Sequence, residues 1–236
     1  MNATSSLAWL DSPASLLPTL TRLSAVRALG LDAALDFHGR LHKPMAKQLA
    51  ALLTPHTPLF IEEPLLSEHP SAIAALAQQT SIPIALGERL YSRWDVRPFL
   101  EAHAVDVLQP DVCHVGGISE LKRIAGYAET YDVALAPHCP LGPVALAACM
   151  AVDAGAPNFA IQEMGLGIHY NEGSADLTSY VKNPEVFDVK DGYVEVLQGP
   201  GLGIEVDEEW VRRESMEAKA WITPGFIGPG GEIREW

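Results

Sequence analysis

The repeating pattern that indicates the fold is clearest at residues 58–88, PLFIEEPLLSEHPSAIAALAQQTSIPIALGE. It contains a short apolar strand that ends in an acid, an amphipathic helix, and a second apolar strand that also ends in an acid. Strands that are apolar on both faces are typical of parallel sheets covered by helices. The stretch therefore predicts a βα unit with Glu62 and Glu88 at the ends of its two strands.

The same unit recurs on both sides of this stretch. The predicted strands are LDAALDF (31–37), PLFIEEP (58–64), IPIALGE (82–88), VDVLQPD (105–111), VALAPH (133–138) and FAIQE (159–163). They end in the polar residues Asp36, Glu62, Glu88, Asp111, His138 and Glu163, at intervals of 26, 26, 23, 27 and 25 residues. A regular period of this length favours a (β/α)₈ barrel, in which the carboxyl ends of the strands converge on one site. An open doubly wound sheet would not bring six strand ends together, and no GxGxxG follows the first strand.

Helical patterns fill the intervals between the strands, but the count of strands is incomplete. Helices are predicted at about 13–30, 43–53, 69–79, 94–102, 118–131 and 142–154. Six βα units leave an eight-stranded ring two strands short. We therefore expect either an N-terminally shortened barrel or two strands from another chain. The six units make up a barrel domain at residues 1–191, followed by a glycine-rich tail at residues 192–236.

Composition excludes several classes of protein. The chain has 236 residues with 16 Lys and Arg against 30 Asp and Glu, a formal net charge of −14. Such a charge argues against a nucleic-acid partner, which needs basic residues to neutralise phosphates. No apolar run is long enough to predict a membrane span. Three separated cysteines predict free thiols in a reducing compartment, so we expect a cytoplasmic protein.

Three acids at successive strand ends predict a metal site. A helix-capping role would explain any one of Asp36, Glu62 and Glu88. Three at equal spacing favour a shared ligand set, and oxygen-only ligands favour Mg²⁺. Only one side chain of the Glu62–Glu63 pair can face the barrel axis. We therefore expect Glu63 to point elsewhere or to support the site indirectly.

Two histidines complete a predicted reaction centre. His138 ends its strand, and Asp111 on the preceding strand is placed to accept a hydrogen bond from its imidazole, which suits a general base. His38 lies two residues beyond Asp36 and can act as an acid. Together with Mg²⁺ they predict abstraction of an α-proton from a carboxylate substrate, followed by loss of water from a hydroxy acid. Glu163 can donate a hydrogen bond when protonated; among the other histidines, His114 and His169 are the ones most expected near the site.

Seven sequence blocks closely resemble one family in order and spacing. They are LDFHGR (35–40), PLFIEEP (58–64), GERLYSRWD (87–95), LQPDVCHVGGISE (108–120), APHCPLGPVALAA (136–148), IQEMGLGIHYN (161–171) and GPGLGIEVDEE (199–209). The chain resembles the acid-sugar dehydratases in the mandelate racemase branch of the enolase superfamily. The resemblance implies Mg²⁺-dependent dehydration of a small-molecule sugar acid, with D-galactonate as the expected substrate and a 2-keto-3-deoxy sugar acid as product.

The resemblance also implies a role for each site residue. Asp36, Glu62 and Glu88 match the Mg²⁺ ligands. His138 matches the base that takes the C2 proton, and Asp111 matches its partner. His38 then corresponds to the acid that protonates the departing C3 hydroxyl, and Glu163 to the residue that stabilises the developing enediolate.

One departure from the family keeps alternatives open. Family members begin with an α+β capping domain and two further barrel strands, which we expect this chain to lack. The strands that carry Asp36 and Glu163 would then each have an unpaired edge, and activity would be impaired. The alternatives are another acid-sugar dehydratase, a mandelate-type racemase of the same superfamily, or an inactive fragment. Association into a homo-oligomer is also left open.

Overall fold

A parallel sheet forms the centre of the protein. The computed structural model describes residues 7–167, 176–218 and 225–234. Five strands lie side by side in chain order, each parallel to its neighbour. They are β1 (Leu35–Asp36), β2 (Ile61–Glu62), β3 (Ile84–Leu86), β4 (Val107–Leu108) and β5 (Ala134–Leu135). This sequential order is that of a singly wound barrel sheet and confirms the predicted (β/α) architecture.

The sixth predicted strand is present only as a single bridge. Phe159 pairs in parallel with Leu135. The Leu135 N–H donates to the Asn158 carbonyl and the Ala160 N–H donates to the Leu135 carbonyl, each at 2.8 Å. Within the described residues, no strand lies on the other side of this segment, and Ile161 is 58% exposed. β1 likewise has a described strand partner on one side only.

Helices return the chain between the strands. They are α1 (Leu17–Arg27), α2 (Lys43–Leu53), α3 (Pro70–Ala77), α4 (Arg93–Glu101), α5 (Ile118–Glu129) and α6 (Pro143–Asp153). The predicted helix at 13–30 is shorter at both ends, because residues 13–16 form a separate 3₁₀ turn and Gly30 follows a turn. Pro18 falls in the first turn of α1, where its missing N–H breaks no hydrogen bond. In the described ranges, no helix is both long enough and apolar enough to cross a membrane.

The core lies between the strands and the inner faces of these helices. Ile61, Ile84 and Leu135 are fully buried in their strands. The helical residues that bury their side chains in the same core cluster are Met45, Leu49, Ile73, Phe99, Ile124 and Leu146. They recur at helical spacing on one face of each helix, which is the pattern that buries an apolar stripe. This packing fixes the strands and so fixes the residues at their carboxyl ends.

The chain beyond the last βα unit is not entirely loop. A helix, α7 (Glu208–Ser215), is capped at its N-terminus by Asp207, whose side chain accepts a hydrogen bond from the Trp210 N–H at 3.0 Å. Two short strands, β6 (Phe226–Ile227) and β7 (Ile233–Arg234), pair antiparallel. The expected boundary at residue 191 stays a prediction. Contacts do cross it, since Val181 bridges to Val206 and the Tyr180 ring stacks with the Trp210 ring at a centroid distance of 6.1 Å.

One buried acid outside the strand ends predicts a pH-dependent loss of stability. Asp153, at the end of α6, is 9% exposed, and neither carboxyl oxygen has a hydrogen-bond partner within the described residues. Burial raises its pKa from 3.8 to about 7. As pH rises, the carboxyl of Asp153 loses its proton at a lower pH in the unfolded chain than in the folded protein. The protein is therefore most stable below pH 4, and its unfolding free energy falls as pH rises towards 7.

Asp153→Asn is expected to remove this slope. Between pH 4 and pH 8, the unfolding free energy of the wild type should fall by up to about 4 kcal/mol more than that of the variant. This figure follows from roughly 1.4 kcal/mol per pH unit. Urea unfolding at a series of pH values measures the difference. Parallel pH profiles for the two proteins would contradict the assignment.

Candidate active site

The carboxylate of Glu88 occupies the centre of the candidate site. Glu88 follows β3 and is 5% exposed. Its Oε2 lies 3.1 Å from His138 Nε2, and its Oε1 lies 3.8 Å from His38 Nδ1. The Arg89 Nε is 3.4 Å from the same Oε1. The two predicted histidines, which follow different strands, therefore each approach a different oxygen of one buried carboxylate.

His138 and Asp111 form the predicted pair. Asp111 is fully buried, and its Oδ2 lies 2.8 Å from His138 Nδ1. Its Oδ1 accepts hydrogen bonds from the backbone N–H groups of Cys113 at 2.7 Å and His114 at 3.2 Å. These bonds hold the carboxylate in place, so His138 Nδ1 donates to Asp111 and Nε2 is directed to Glu88. The arrangement is the one a histidine base requires.

Both partners affect the protonation of His138. Burial alone would lower the pKa of His138, but hydrogen bonds to Asp111 and Glu88 outweigh it and raise the pKa to about 10. Burial raises the pKa of Asp111 and of Glu88, but His138 and neighbouring positive charges outweigh it and leave both pKa values below normal. The imidazole is consequently protonated at neutral pH while Glu88 remains its partner.

His38 reaches the site through an unusual backbone conformation. β1 ends at Asp36, so His38 lies beyond the strand. Its φ of +54° is left-handed instead. This turn brings His38 Nδ1 to 3.0 Å from Asp36 Oδ2, and the His38 carbonyl lies 3.4 Å from the Arg89 guanidinium.

The three predicted metal ligands lie on adjacent strands. Asp36 and Glu62 are directly paired in the β1–β2 register. Burial, with the negative charges of Asp36 and Glu88, raises the pKa of Glu62 to about 8. The negative charges of both other acids therefore act on Glu62.

The donor chemistry of these acids fits a hard cation. Asp36 Oδ1 and Glu88 Oε1 are buried without a hydrogen-bond partner among the described residues, and carboxylate oxygens are what Mg²⁺ prefers. In that part of the chain, no three His, Cys, Asp or Glu side chains already surround one point as metal ligands do. Asp36 and Glu88 each direct one oxygen to an imidazole in this arrangement.

Glu163 contacts the loop that carries His138. Its Oε2 accepts a hydrogen bond from the Cys139 N–H at 2.8 Å. The carboxylate thus accepts a hydrogen bond from the main chain, whereas its predicted role in catalysis requires it to face the substrate. That role stays a prediction. The motif around Glu163 continues to residue 171, and residues 168–171, with His169, lie outside the described residues.

Three further residues line the site: Glu63 and His114, which were expected to lie outside the ligand set or nearby, and Arg89, which was not singled out. Glu63 is fully buried behind Glu62, and burial raises its pKa to about 7. Arg89 contacts both Glu88 and His38. His114, expected nearby, lies with Nδ1 2.7 Å from the Glu88 carbonyl and its ring 6.1 Å from that of His138. Arg89 directly follows Glu88, and His114 lies three residues after Asp111. This closeness in sequence to strand-end residues is the feature by which both could be identified from the sequence.

The chain is similar to curated proteins with a named activity. D-galactonate dehydratase of Variovorax paradoxus is 47% identical over an alignment that covers 100% of this chain and 62% of that protein. D-galactonate dehydratase of Cronobacter sakazakii is 50% identical, with coverage of 87% and 54%. The chain thus spans about three fifths of the length of the curated relatives it matches.

A solved structure and a family match complete the comparison. The crystal structure of an enolase from Agrobacterium radiobacter, with bound sodium and L-malate, superposes with a TM-score of 0.85 at 32% identity. The superposition covers 98% of this chain and 61% of that one. Residues 15–210 match the family described as Enolase C-terminal domain-like. Since that match includes every strand end described above, this chain belongs to the Enolase C-terminal domain-like family.

Proposed function

We propose that this chain carries the catalytic barrel residues of a sugar-acid dehydratase that acts on D-galactonate. The observation that carries the proposal is the pair of histidines on the two oxygens of Glu88, with Asp111 behind only one of them. Such asymmetry suits a reaction in which one imidazole takes a proton and the other gives one. The names of the curated relatives support dehydration and galactonate as the substrate.

Asp36, Glu62 and Glu88 would hold Mg²⁺ in this function. When bound, the cation supplies positive charge for the substrate carboxylate and for the negative charge that develops there. Glu88 Oε1, which has no hydrogen-bond partner among the described residues, would face the cation, while Oε2 faces His138 Nε2. Positive charge beside Glu88 would weaken the attraction that raises the pKa of His138, so the imidazole would release its proton more readily.

The proton transfers then follow from the positions of the histidines. His138 Nε2 removes the proton from C2 of the sugar acid, while Asp111 stabilises the positive imidazole through Nδ1. His38 gives a proton to the hydroxyl on C3, and the C3–O bond breaks to release water. The electron pair from the C2–H bond forms the C2–C3 double bond. The resulting enol becomes the 2-keto-3-deoxy acid when C3 takes up a proton.

Turnover of a panel of sugar acids tests the proposal. With Mg²⁺, the chain is expected to convert D-galactonate to a 2-keto acid faster than it converts C2, C3 and C4 epimers. Formation of the keto product is measured as its semicarbazone, with a chelator and a 3-deoxy sugar acid as controls. Turnover that survives metal removal would contradict the proposed metal site. Epimerisation at C2 without loss of water would favour the racemase alternative.

A further inference from the structure

The carboxylate of Glu63 has no role in the proton transfers, yet it is among the most enclosed acids of the protein. Glu63 is 0% exposed and directly follows the candidate ligand Glu62. Its φ of +41° lies in the left-handed region, which a side chain other than glycine rarely adopts. Backbone strain of this kind persists only where surrounding contacts determine the conformation, and it concentrates at functional sites.

Both carboxyl oxygens of Glu63 are engaged. Oε1 accepts a hydrogen bond from the Gly87 N–H at 3.1 Å, and Oε2 accepts one from the Ser67 hydroxyl at 2.9 Å. Ser67 is itself buried. Gly87 directly precedes Glu88, so a side chain from the end of β2 fixes the backbone from which Glu88 projects.

The main chain of Glu63 makes two further connections. Its N–H donates to the Ala85 carbonyl at 2.9 Å, and its carbonyl accepts from the Gly39 N–H at 2.8 Å. Gly39 directly follows His38. A single residue thus joins the turn that carries His38 to the strand end that carries Glu88, with Glu62 adjacent in sequence.

Gly87 is held from two sides, by close packing on the β4 side and by the Glu63 side chain on the β2 side. A Cβ atom placed on Gly87 would lie 2.6 Å from the Gln109 backbone, so the chain there is pressed against the end of β4. A shift of Gly87 towards β2 or away from it would move Glu88 relative to both histidines. The Glu63 carboxylate opposes such a shift.

We infer that Glu63 is a positioning residue, whose side-chain hydrogen bond to Gly87 sets the location of Glu88 against Glu62 and Asp36. The inference rests on the proposed function, since it concerns the metal site assigned there. Groups that orient metal ligands typically change metal affinity by roughly 10–100-fold when removed. A purely structural acid would change stability without changing the affinity of a folded site.

Amide hydrogen exchange tests the hydrogen bond without any metal. Glu63→Met keeps an unbranched side chain of similar length and removes the acceptor. Exchange at Gly87 is expected to accelerate roughly tenfold, the effect of losing one ordinary hydrogen bond. Gly39 is the internal control, because it bonds to the Glu63 main chain and its rate should stay within about threefold. Equal acceleration at both glycines would indicate general loosening and overturn the inference.

Mn²⁺ affinity, measured by electron paramagnetic resonance, tests the consequence for the site. Glu63→Met is expected to bind Mn²⁺ roughly 10–100-fold more weakly than wild type. Leu76→Ala, a core truncation on α3, is the matched control for lost stability and should keep its affinity. Unchanged affinity in a folded Glu63→Met overturns the inference.

If Glu63→Met does not fold, Glu63→Gln is used to test whether the charge or the hydrogen bond of this side chain affects the site. Its amide oxygen can still accept from Gly87, so exchange and affinity should both remain within about threefold of wild type. A tenfold loss of affinity in this variant would show that the charge matters and not the hydrogen bond, and would overturn the inference. Wild-type protein that binds no Mn²⁺ overturns both the metal site and this inference, whereas normal binding with unchanged Gly87 exchange in Glu63→Met overturns this inference alone.

Discussion

His138→Asn is expected to abolish exchange of the C2 proton of the substrate with solvent, whereas His38→Asn should stop dehydration and leave that exchange intact. The reason is the asymmetry of the site. His138 has a buried carboxylate outside the proposed ligand set, Asp111 at 2.8 Å, to stabilise its protonated form. By contrast, the acids beside His38, Asp36 and Glu88, are both candidate metal ligands. Each lost proton transfer should cost roughly 10²–10⁴-fold in its own step.

The measurement separates the two steps in one sample. Substrate incubated in D₂O with Mg²⁺ is followed by proton nuclear magnetic resonance, which reports loss of the C2 signal and formation of product. His103→Asn is the control, because His103 lies between α4 and β4 at the opposite end of the strands. Its φ of +48° is one that asparagine tolerates. Loss of exchange in His38→Asn together with normal exchange in His138→Asn would reverse the two roles.

The regular part of the site could be predicted from the sequence because it follows strand periodicity. Glu62, Glu88 and Asp111 each come at or just after the end of an apolar strand, and parallel strands place such residues at one edge of the sheet. The Asp111–His138 pair follows from the same rule, since β4 and β5 are neighbours. Element order and fold class rest on this pattern, which does not depend on loop geometry.

Other parts of the site depend on backbone conformations that periodicity does not encode. His38 and Glu63 both adopt left-handed φ values just beyond a strand, so alternation cannot predict where their side chains lie. The short sixth segment is another example. FAIQE has the composition of a strand, but of its residues only Phe159 pairs with β5, through one isolated bridge to Leu135, and composition does not show how far the pairing extends.

The histidine and metal predictions are linked through Glu88. Its carboxylate is both a candidate ligand and a hydrogen-bond partner of His138 at 3.1 Å. Glu88→Gln would therefore weaken metal binding and also lower the pKa of His138, because a neutral amide stabilises imidazolium less than a carboxylate does. Asp36 and Glu62 lack this second connection to His138, so their substitutions report on the cation more directly.

Asp36→Asn, Glu62→Gln and Glu88→Gln are each expected to weaken Mg²⁺ binding by at least about 100-fold, the upper end of the effect of residues that only orient ligands. Each substitution keeps the side-chain shape and removes one negative charge from a site whose acids already repel each other. Calorimetric titration with Mg²⁺ measures the affinities.

Asp106→Asn is the matched control for these variants. The Asp106 carboxylate accepts a hydrogen bond from the Ile84 N–H at 2.8 Å, at the start of β3 and away from the site, so the Mg²⁺ affinity of this variant should not change. Repulsion by Asp36 and Glu88 also predicts that Glu62→Gln melts at or above the wild-type temperature without metal. Mg²⁺ should raise the melting temperature of the wild type and of Asp106→Asn, but not that of the three ligand variants. Unchanged Mg²⁺ affinity in all three variants would mean that these carboxylates do not bind the cation.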